Sequence, residues 1–128
     1  MHDVFISYSF KNAKIADAIC HHLESRAIRC WYAPRDVDPG SDWPTSIVNA
    51  IPRAKVFILV FSEDSNASDD VEKELSLAIK NGCIVIPFRI DKAALSAKLS
   101  YFLNKQEFLL NILHFFTIYA KIFIYTNI

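Results

Sequence analysis

Glu74 is the side chain in this sequence that is best placed to do chemistry, because it lies at the edge of a predicted helix face. Segment 68–79 predicts a helix, since its apolar residues recur at helical spacing. The residues of this predicted buried stripe are Val71, Leu75, Ala78 and Ile79. At about 100° per residue, Glu74 falls beside the stripe and turns partly toward the core. Such a carboxylate is either a reagent or a structural charge paired with Lys73, Arg89 or Arg35.

Short strands alternate with helices along the chain, which predicts an open parallel α/β sheet with helices on both faces. The strands are expected at 3–7, 29–32, 56–61 and 83–88. The helices are expected at 12–26, 43–52, 68–79 and 93–103. In the second of them we expect Ile47, Val48 and Ile51 to be buried. A flavodoxin-like strand order, 2-1-3-4-5, would place a ligand crevice beyond the carboxyl ends of strands one and three.

Three polar loops would meet at this crevice. The loop at 7–10 follows the first strand, and the loop at 62–68 follows the third and leads to Glu74. The loop at 33–44 carries three prolines and one of the two glycines, so we expect it to be long and shaped. The predicted strand order therefore brings these loops together near Glu74.

Composition predicts a single folded domain and excludes several kinds of site. The chain has 128 residues, is 52% hydrophobic and 22% charged, and has a formal net charge of zero. Without a basic cluster, we expect no nucleic-acid partner. The three cysteines lie in apolar segments without metal-binding spacing, so we expect reduced thiols and no metal site. No signal-peptide pattern precedes the first strand, and we therefore expect a cytoplasmic location.

Four motifs occur in order along the chain: DVFISYS at 3–9, RCWYAPRDVDPG at 29–40, segment 56–75, and the stretch at 84–90 with 101–103. Together they resemble the TIR (Toll/interleukin-1 receptor) domain. The first resembles its opening motif, and the second is similar to the second strand and BB loop of bacterial members. Segment 56–75 is similar to the third strand and catalytic helix. The stretches at 84–90 and 101–103 continue the match, so the resemblance covers about residues 2–110.

The resemblance implies a flavodoxin-like fold and, for stand-alone bacterial members, NAD⁺ cleavage at the nicotinamide–ribose bond. NAD⁺ would be the substrate and no separate cofactor would be needed. The product would be ADP-ribose or a cyclic or conjugated form of it, a signal in antiphage defence that a separate effector protein senses. Homo-oligomers built through TIR–TIR contacts are also implied. The alternative is a non-catalytic TIR scaffold that acts by homotypic assembly alone.

The resemblance assigns the catalytic role to Glu74. Bond cleavage passes through an oxocarbenium-like state, as glycoside hydrolysis does. Nicotinamide leaves from a cationic pyridinium, so no general acid has to protonate it. One carboxylate can then suffice, because it can hold the ribose hydroxyls and stabilise the positive charge that develops on the sugar carbon.

The resemblance also implies a set of candidate NAD⁺-binding residues, each with a structural alternative. They are Ser7, Tyr8, Ser9, Phe10, Trp31, Arg35, Trp43, Ser65 and Ser68. The residues at 7–10 either contact the nucleotide or simply end a strand, and Trp31 either binds or packs. Trp43 is either a hydrophobic plug or an aromatic lid. Arg35 meets the pyrophosphate or pairs with Asp36 to shape the loop.

The polar residues before the Glu74 helix have an equally simple structural alternative. Ser65 and Ser68 match polar positions before the family's catalytic helix. Ser68 is also a suitable N-cap, and Asp69 and Asp70 suit the positive end of a helix.

The sequence departs from the family pattern at two places. Many NAD-cleaving members carry an aromatic residue four positions before the glutamate, where this chain has Asp70. A second carboxylate there would raise the pKa of Asp70 or of Glu74.

The second departure is the C-terminal segment. We assign 1–106 to the TIR domain and 107–128 to a divergent apolar segment packed on it. Two alternatives for this segment are an oligomer or partner surface and a membrane anchor, against which Asn111, His114 and Lys121 count.

Overall fold

The sheet is parallel throughout and has the predicted strand order. The computed structural model describes residues 2–94, 96–97, 99–100 and the backbone of 109–110. The strands are β1 (Val4–Ser7), β2 (Cys30–Trp31), β3 (Val56–Phe61), β4 (Ile84–Arg89) and β5 (Leu109–Leu110). Their order is β2-β1-β3-β4-β5, and every neighbouring pair is parallel. The flavodoxin-like α/β prediction is confirmed.

Four α-helices whose bounds fall wholly within the described residues connect the strands, and one of them was not predicted. They are α1 (Ala13–Glu24), α2 (Trp43–Ala50), α3 (Glu63–Asn66) and α4 (Asp69–Lys80). Short 3₁₀ turns precede α1 at Phe10–Asn12 and follow α2 at Ile51–Arg53. The helix α3 lies inside the segment expected to be a loop, because the side chains of Ser62 and Ser65 form a reciprocal capping box that starts a helical turn.

Helices cover both faces of the sheet, as predicted. Side chains alternate along β1, so Val4 and Ile6 pack with α1 while Phe5 packs with α2 and α4. The central strand β3 is buried at all six positions. A sheet covered on both faces explains why the sequences of β3 and β4 are nearly continuous apolar runs.

Two residues predicted to be buried are exposed. Val48 is 49% exposed on α2, because it borders an open cleft instead of the sheet. Ile79 is 41% exposed on α4. At about 100° per residue Ile79 falls at the far edge of the buried stripe, opposite the edge that carries Glu74. A helix resting on a sheet buries the middle of its stripe more completely than its edges.

The chain beyond β4 is described only in part. The Ser96 hydroxyl accepts from the Leu99 amide at 3.1 Å, and the Ser96 carbonyl accepts from the Ser100 amide at 2.9 Å, which is one helical turn. Of the helix predicted at 93–103, residues 97, 99 and 100 are helical, whereas 93, 94 and 96 are not, so the predicted start is too early. Residues 95, 98 and 101–103 lie outside the described residues. So does the prediction for 107–128, apart from the two residues of β5. In the part of the chain that the structure describes, no helix has the length and apolar character needed to cross a membrane.

Candidate functional site

The helix that carries Glu74 is fixed at both ends by local sequence signals. At its start the Ser68 hydroxyl accepts from the Val71 amide at 3.2 Å, which is an N-cap. At its end Gly82 has a φ of +74°, and the Cys83 amide donates to the Ala78 carbonyl at 3.0 Å. This is a Schellman ending, and the left-handed conformation explains the glycine. Glu74 therefore lies midway along a helix with defined ends.

The Glu74 side chain is partly buried and accepts a hydrogen bond from β1. The Ser7 hydroxyl donates to Glu74 Oε1 at 2.9 Å. Burial raises the pKa of Glu74 to about 7; the Ser7 hydrogen bond opposes this rise, and the charge of Asp70 adds to it. Ion pairs between described residues do not include Glu74. Among the described residues, Glu74 therefore does not form the ion pair with Lys73, Arg89 or Arg35 that the structural alternative requires.

A cleft of about 300 Å³ opens beside Glu74, at the carboxyl end of β1. One wall is apolar and comes from Trp43, Ile47 and Val48 of α2. Residues of α4 and of the loop after β1 also line the cleft. The polar groups that line the cleft are Tyr8, Ser68, Asp70, Lys73 and Glu74. When Glu74 is ionised, two carboxylates and one ammonium give the lining a net negative charge, which favours a cationic ligand group.

Two exposed aromatic side chains border this cleft from different elements. Phe10 is 82% exposed and Trp43 is 53% exposed. Large apolar side chains with this much exposure beside a concave site are available to stack on a planar ligand. The exposure of Trp43 agrees better with the lid alternative than with a buried plug.

Tyr8 joins the first loop to the loop that follows β2. Its hydroxyl donates to the Ala33 carbonyl, and both residues line the cleft. Burial raises the pKa of the Tyr8 phenol, and the charges of Glu74 and Asp17 raise it further. The phenol therefore stays protonated and available as a donor. This bond sets the position of the loop backbone at one end of the cleft.

Arg35 lies away from the cleft and holds the base of the same loop. Its guanidinium donates to both carboxylate oxygens of Glu24, at 2.6 and 2.9 Å, and to the Cys30 carbonyl at 2.9 Å. It also pairs with Asp36 at 2.9 Å and lies 4.7 Å from the centre of the Tyr32 ring. The loop-shaping alternative is thus the arrangement that this structure contains.

The other candidate residues divide between the cleft and the surrounding packing. Tyr8, Phe10, Trp43, Ser68 and Glu74 line the cleft. Ser7 is fully buried behind Glu74. Trp31 stacks on Phe5, with ring centres 5.1 Å apart, and does not line the cleft. Ser9 and Ser65 are buried, and Ser65 belongs to the capping box of α3.

Some residues of the cleft were not candidates from the sequence. Lys73, Ile47 and Val48 line it, together with Ala33 and Leu77. A partial signal existed for α2, because Trp43 and Ile47 are one turn apart and so share a helix face. Among the described residues, no group of three or more His, Cys, Asp or Glu side chains is arranged to hold a metal ion.

The sequence matches the model of one protein family over most of its length. Residues 4–110 match the TIR domain. A comparison with curated protein sequences gave no match.

Several solved structures share the fold. The TIR domain of the Toll-related receptor TRR-2 from Hydra magnipapillata superposes with a TM-score of 0.82 at 22% identity, covering 95% of this chain and 98% of that one. A metazoan TIR-STING receptor from C. gigas gives 0.74 at 25% identity, covering 95% of this chain and 40% of the receptor. The TIR domains of the activated Roq1 resistosome give 0.66 at 18% identity, covering 100% and 85%.

Proposed function

This chain belongs to the TIR domain family, and we propose that it is an NAD⁺ nucleosidase with Glu74 as its catalytic carboxylate. One observation carries the proposal above all others. Glu74 lies at a cleft of about 300 Å³, partly shielded from water and held by a hydrogen bond from Ser7. A concave site of this size with one desolvated acid suits a small-molecule substrate.

The chemistry needs little more than this carboxylate. In its ionised form Glu74 accepts hydrogen bonds from the ribose hydroxyls and faces the sugar carbon as the bond to nicotinamide breaks. The bonding pair leaves with the pyridine nitrogen, which becomes neutral, and positive charge develops on the sugar. A carboxylate in a partly desolvated position stabilises that charge more strongly than one in water. Water or another acceptor then adds to the sugar carbon.

The exposed aromatic residues supply a place for the nicotinamide ring. Phe10 and Trp43 border the cleft from the loop after β1 and from the start of α2. Stacking against either would orient the ring and exclude water from the bond that breaks. In this proposal they take over the stacking role that Asp70 cannot fill.

The decisive experiment measures nicotinamide release from NAD⁺ by the purified wild-type protein and by Glu74→Gln. We expect the substitution to lower kcat by about 100-fold or more, because it removes the negative charge that faces the reacting carbon. Glu72→Gln on the same helix is the matched control, since Glu72 does not line the cleft. We expect that control to retain activity within about twofold of wild type.

Equal release by wild type and Glu74→Gln, above the blank, would remove Glu74 from the mechanism. No release by wild type at any protein concentration would reject the enzymatic proposal. Mass spectrometry of the products distinguishes ADP-ribose from cyclic or conjugated forms. On the same proposal the protein acts in the cytoplasm, in antiphage defence, and a separate effector senses its product.

A second candidate function is assembly without catalysis, and Asp70 is the observation that favours it. This exposed carboxylate lies in the cleft one turn before Glu74, and its charge makes ionisation of Glu74 harder. The exposed Pro39 and Gly40 would then contribute to contacts between copies. Self-association measured by sedimentation, lost on substitution of Pro39 and unaccompanied by NAD⁺ cleavage, would favour this function.

A further inference from the structure

Ser7 is a buried hydroxyl in a strand that is otherwise apolar. It is the last residue of β1, with a relative exposure of 0%, and its backbone pairs with Leu59 of β3. A buried hydroxyl without a hydrogen-bond partner destabilises the folded state. A serine at this position therefore needs a hydrogen-bond partner, whereas an apolar residue would need none.

The partner of Ser7 is the carboxylate at the centre of the cleft. Alternation along β1 directs Ser7 to the same face as Phe5, which is the face that α4 covers. There the Ser7 hydroxyl donates to Glu74 Oε1 at 2.9 Å. With Oε1 engaged from behind, Oε2 is the oxygen that can accept from a ligand in the cleft.

We propose that Ser7 is a positioning residue, whose hydroxyl orients the Glu74 carboxylate and favours its ionised form without touching the substrate. Its burial excludes direct contact with a molecule in the cleft. The catalytic consequence of this role rests on the proposed function, whereas the effect of Ser7 on Glu74 does not.

The charged groups around Glu74 show why this donor matters. On α4 itself Asp70 opposes ionisation of Glu74, and Lys73 lines the same cleft. After β1 the Tyr8 phenol lines the same cleft, and burial together with the charge of Glu74 raises the pKa of Tyr8. The facing helix α2 carries no ionisable side chain. Burial and Asp70 raise the pKa of Glu74, whereas the hydrogen bond from Ser7 lowers it.

The test is a direct titration of Glu74 by carbon-13 NMR of its side-chain carboxyl, in wild type, Ser7→Ala and Ser7→Cys. Glu74→Gln identifies the resonance. We expect Ser7→Ala to raise the titration midpoint of Glu74 by about one pH unit. The lost hydrogen bond stabilises the ionised carboxylate more than it stabilises the protonated acid. Ser7→Cys keeps the side-chain size but has a weaker donor, so its midpoint should lie between the other two.

The matched control is Ser46→Ala, which removes another buried serine hydroxyl. Ser46 lies on α2 and pairs with Ser41 at 3.0 Å, without contact to Glu74. The titration midpoint of Glu74 in Ser46→Ala should equal that in wild type. In the activity assay Ser7→Ala should lose about fivefold in kcat at pH 7 and recover above pH 8, with KM changed less than about twofold. A purely structural defect would not recover with pH.

A Glu74 midpoint in folded Ser7→Ala within about 0.2 unit of wild type would overturn the proposal. If Ser7→Ala does not fold, Ser7→Cys is judged by the same criterion. A shifted midpoint together with no nicotinamide release by wild type would reject the proposed function while retaining the effect of Ser7 on Glu74. A shifted midpoint with a lower kcat that no pH restores would overturn the catalytic part of the proposal, because the loss would then not follow the ionisation of Glu74.

Discussion

At the scale of the residue, opposing influences set the pKa of Glu74. Burial and the charge of Asp70 disfavour its charged form, and the Ser7 hydroxyl favours it. The resulting pKa of about 7 means that both forms are populated near neutral pH. When the pKa of a carboxyl group lies close to the pH of the solution, small changes around the group alter its charge. This is typical of functional acids.

This pKa predicts how stability depends on pH. Folding raises the pKa of Glu74 above its usual 4.5, so between 4.5 and about 7 the folded state keeps a proton that the unfolded chain releases. The contribution is fully present below 4.5 and is lost as the pH rises through 7. Relative to Glu74→Gln, the free energy of unfolding of wild type should fall by about 1–3 kcal/mol across this window.

Urea unfolding of the two proteins at pH 5 and pH 8 measures this difference. Glu72→Gln serves as the control and should show no comparable window. A constant difference between wild type and Glu74→Gln at both pH values would mean that Glu74 has an ordinary pKa in the folded protein.

At the scale of the element, α4 and the loop after β2 fix the two sides of the site. The helix begins at a serine cap and ends at a glycine in the left-handed conformation, so its register is defined locally. The loop depends instead on distant partners, because Arg35 ties its base to Glu24 and Tyr8 ties Ala33 to the first loop. The helix is a rigid support, and the loop is held in place by side chains.

Removing the cap of α4 should destabilise the protein. We expect Ser68→Ala to cost about 1 kcal/mol, because the Val71 amide loses its acceptor at the helix start. Ser68→Asp, which restores an acceptor at the N-cap, should remain close to wild type. Thermal unfolding measures both, with a fall of about 3–6 °C expected for the alanine variant. Equal melting temperatures for the two variants would show that the cap contributes nothing.

Arg35 should control the order of the loop more than the chemistry. We expect Arg35→Lys to increase cleavage of residues 33–42 by proteases several-fold, because lysine cannot reproduce the paired hydrogen bonds to Glu24. Limited proteolysis followed by mass spectrometry locates the cuts. Arg53→Lys is the control, since Arg53 is exposed outside this loop. Unchanged cleavage in Arg35→Lys would assign the anchoring to Tyr8 and Asp36 alone.

At the scale of the whole molecule, the site depends on a core on each side of one sheet. The cluster on the α4 side joins Phe5, Phe57, Val71 and Leu75, all with little or no exposure. It fixes the distance between α4 and β1, and therefore between Glu74 and Ser7. Packing of this kind gives a site its precision, because side chains in a dense core have few alternative positions.

Leu75 tests this dependence directly. Leu75 follows Glu74 on α4, is fully buried and does not line the cleft. We expect Leu75→Ala to lower the free energy of unfolding by about 2–5 kcal/mol, through lost burial and a residual cavity. Leu77→Ala, at a partly buried position, should cost clearly less. Equal losses in urea unfolding would contradict the placement of Leu75 at the centre of the buried stripe.

The sequence by itself determined where the strands and the helix that carries Glu74 lie, through apolar periodicity and a serine cap. The strand order 2-1-3-4-5 was the order expected of a flavodoxin-like fold, and the structure confirms it. The helix α3 was missed, because its capping box has serine where the usual motif has glutamate or glutamine. The exposure of Val48 and Ile79 was also missed, since periodicity defines a face but not how far a sheet covers it.

Only the tertiary structure decided which candidates share one site. Ser7 and Glu74 are 67 positions apart, and no local pattern shows that the hydroxyl of one reaches the carboxylate of the other. Arg35 and Trp31 are both candidate ligands by residue type, yet the fold engages Arg35 with Glu24 and stacks Trp31 on Phe5. The physical reason is that burial and hydrogen-bond partners are properties of packed elements. A sequence names the groups that can react, whereas packing decides which of them meet and how strongly each is charged.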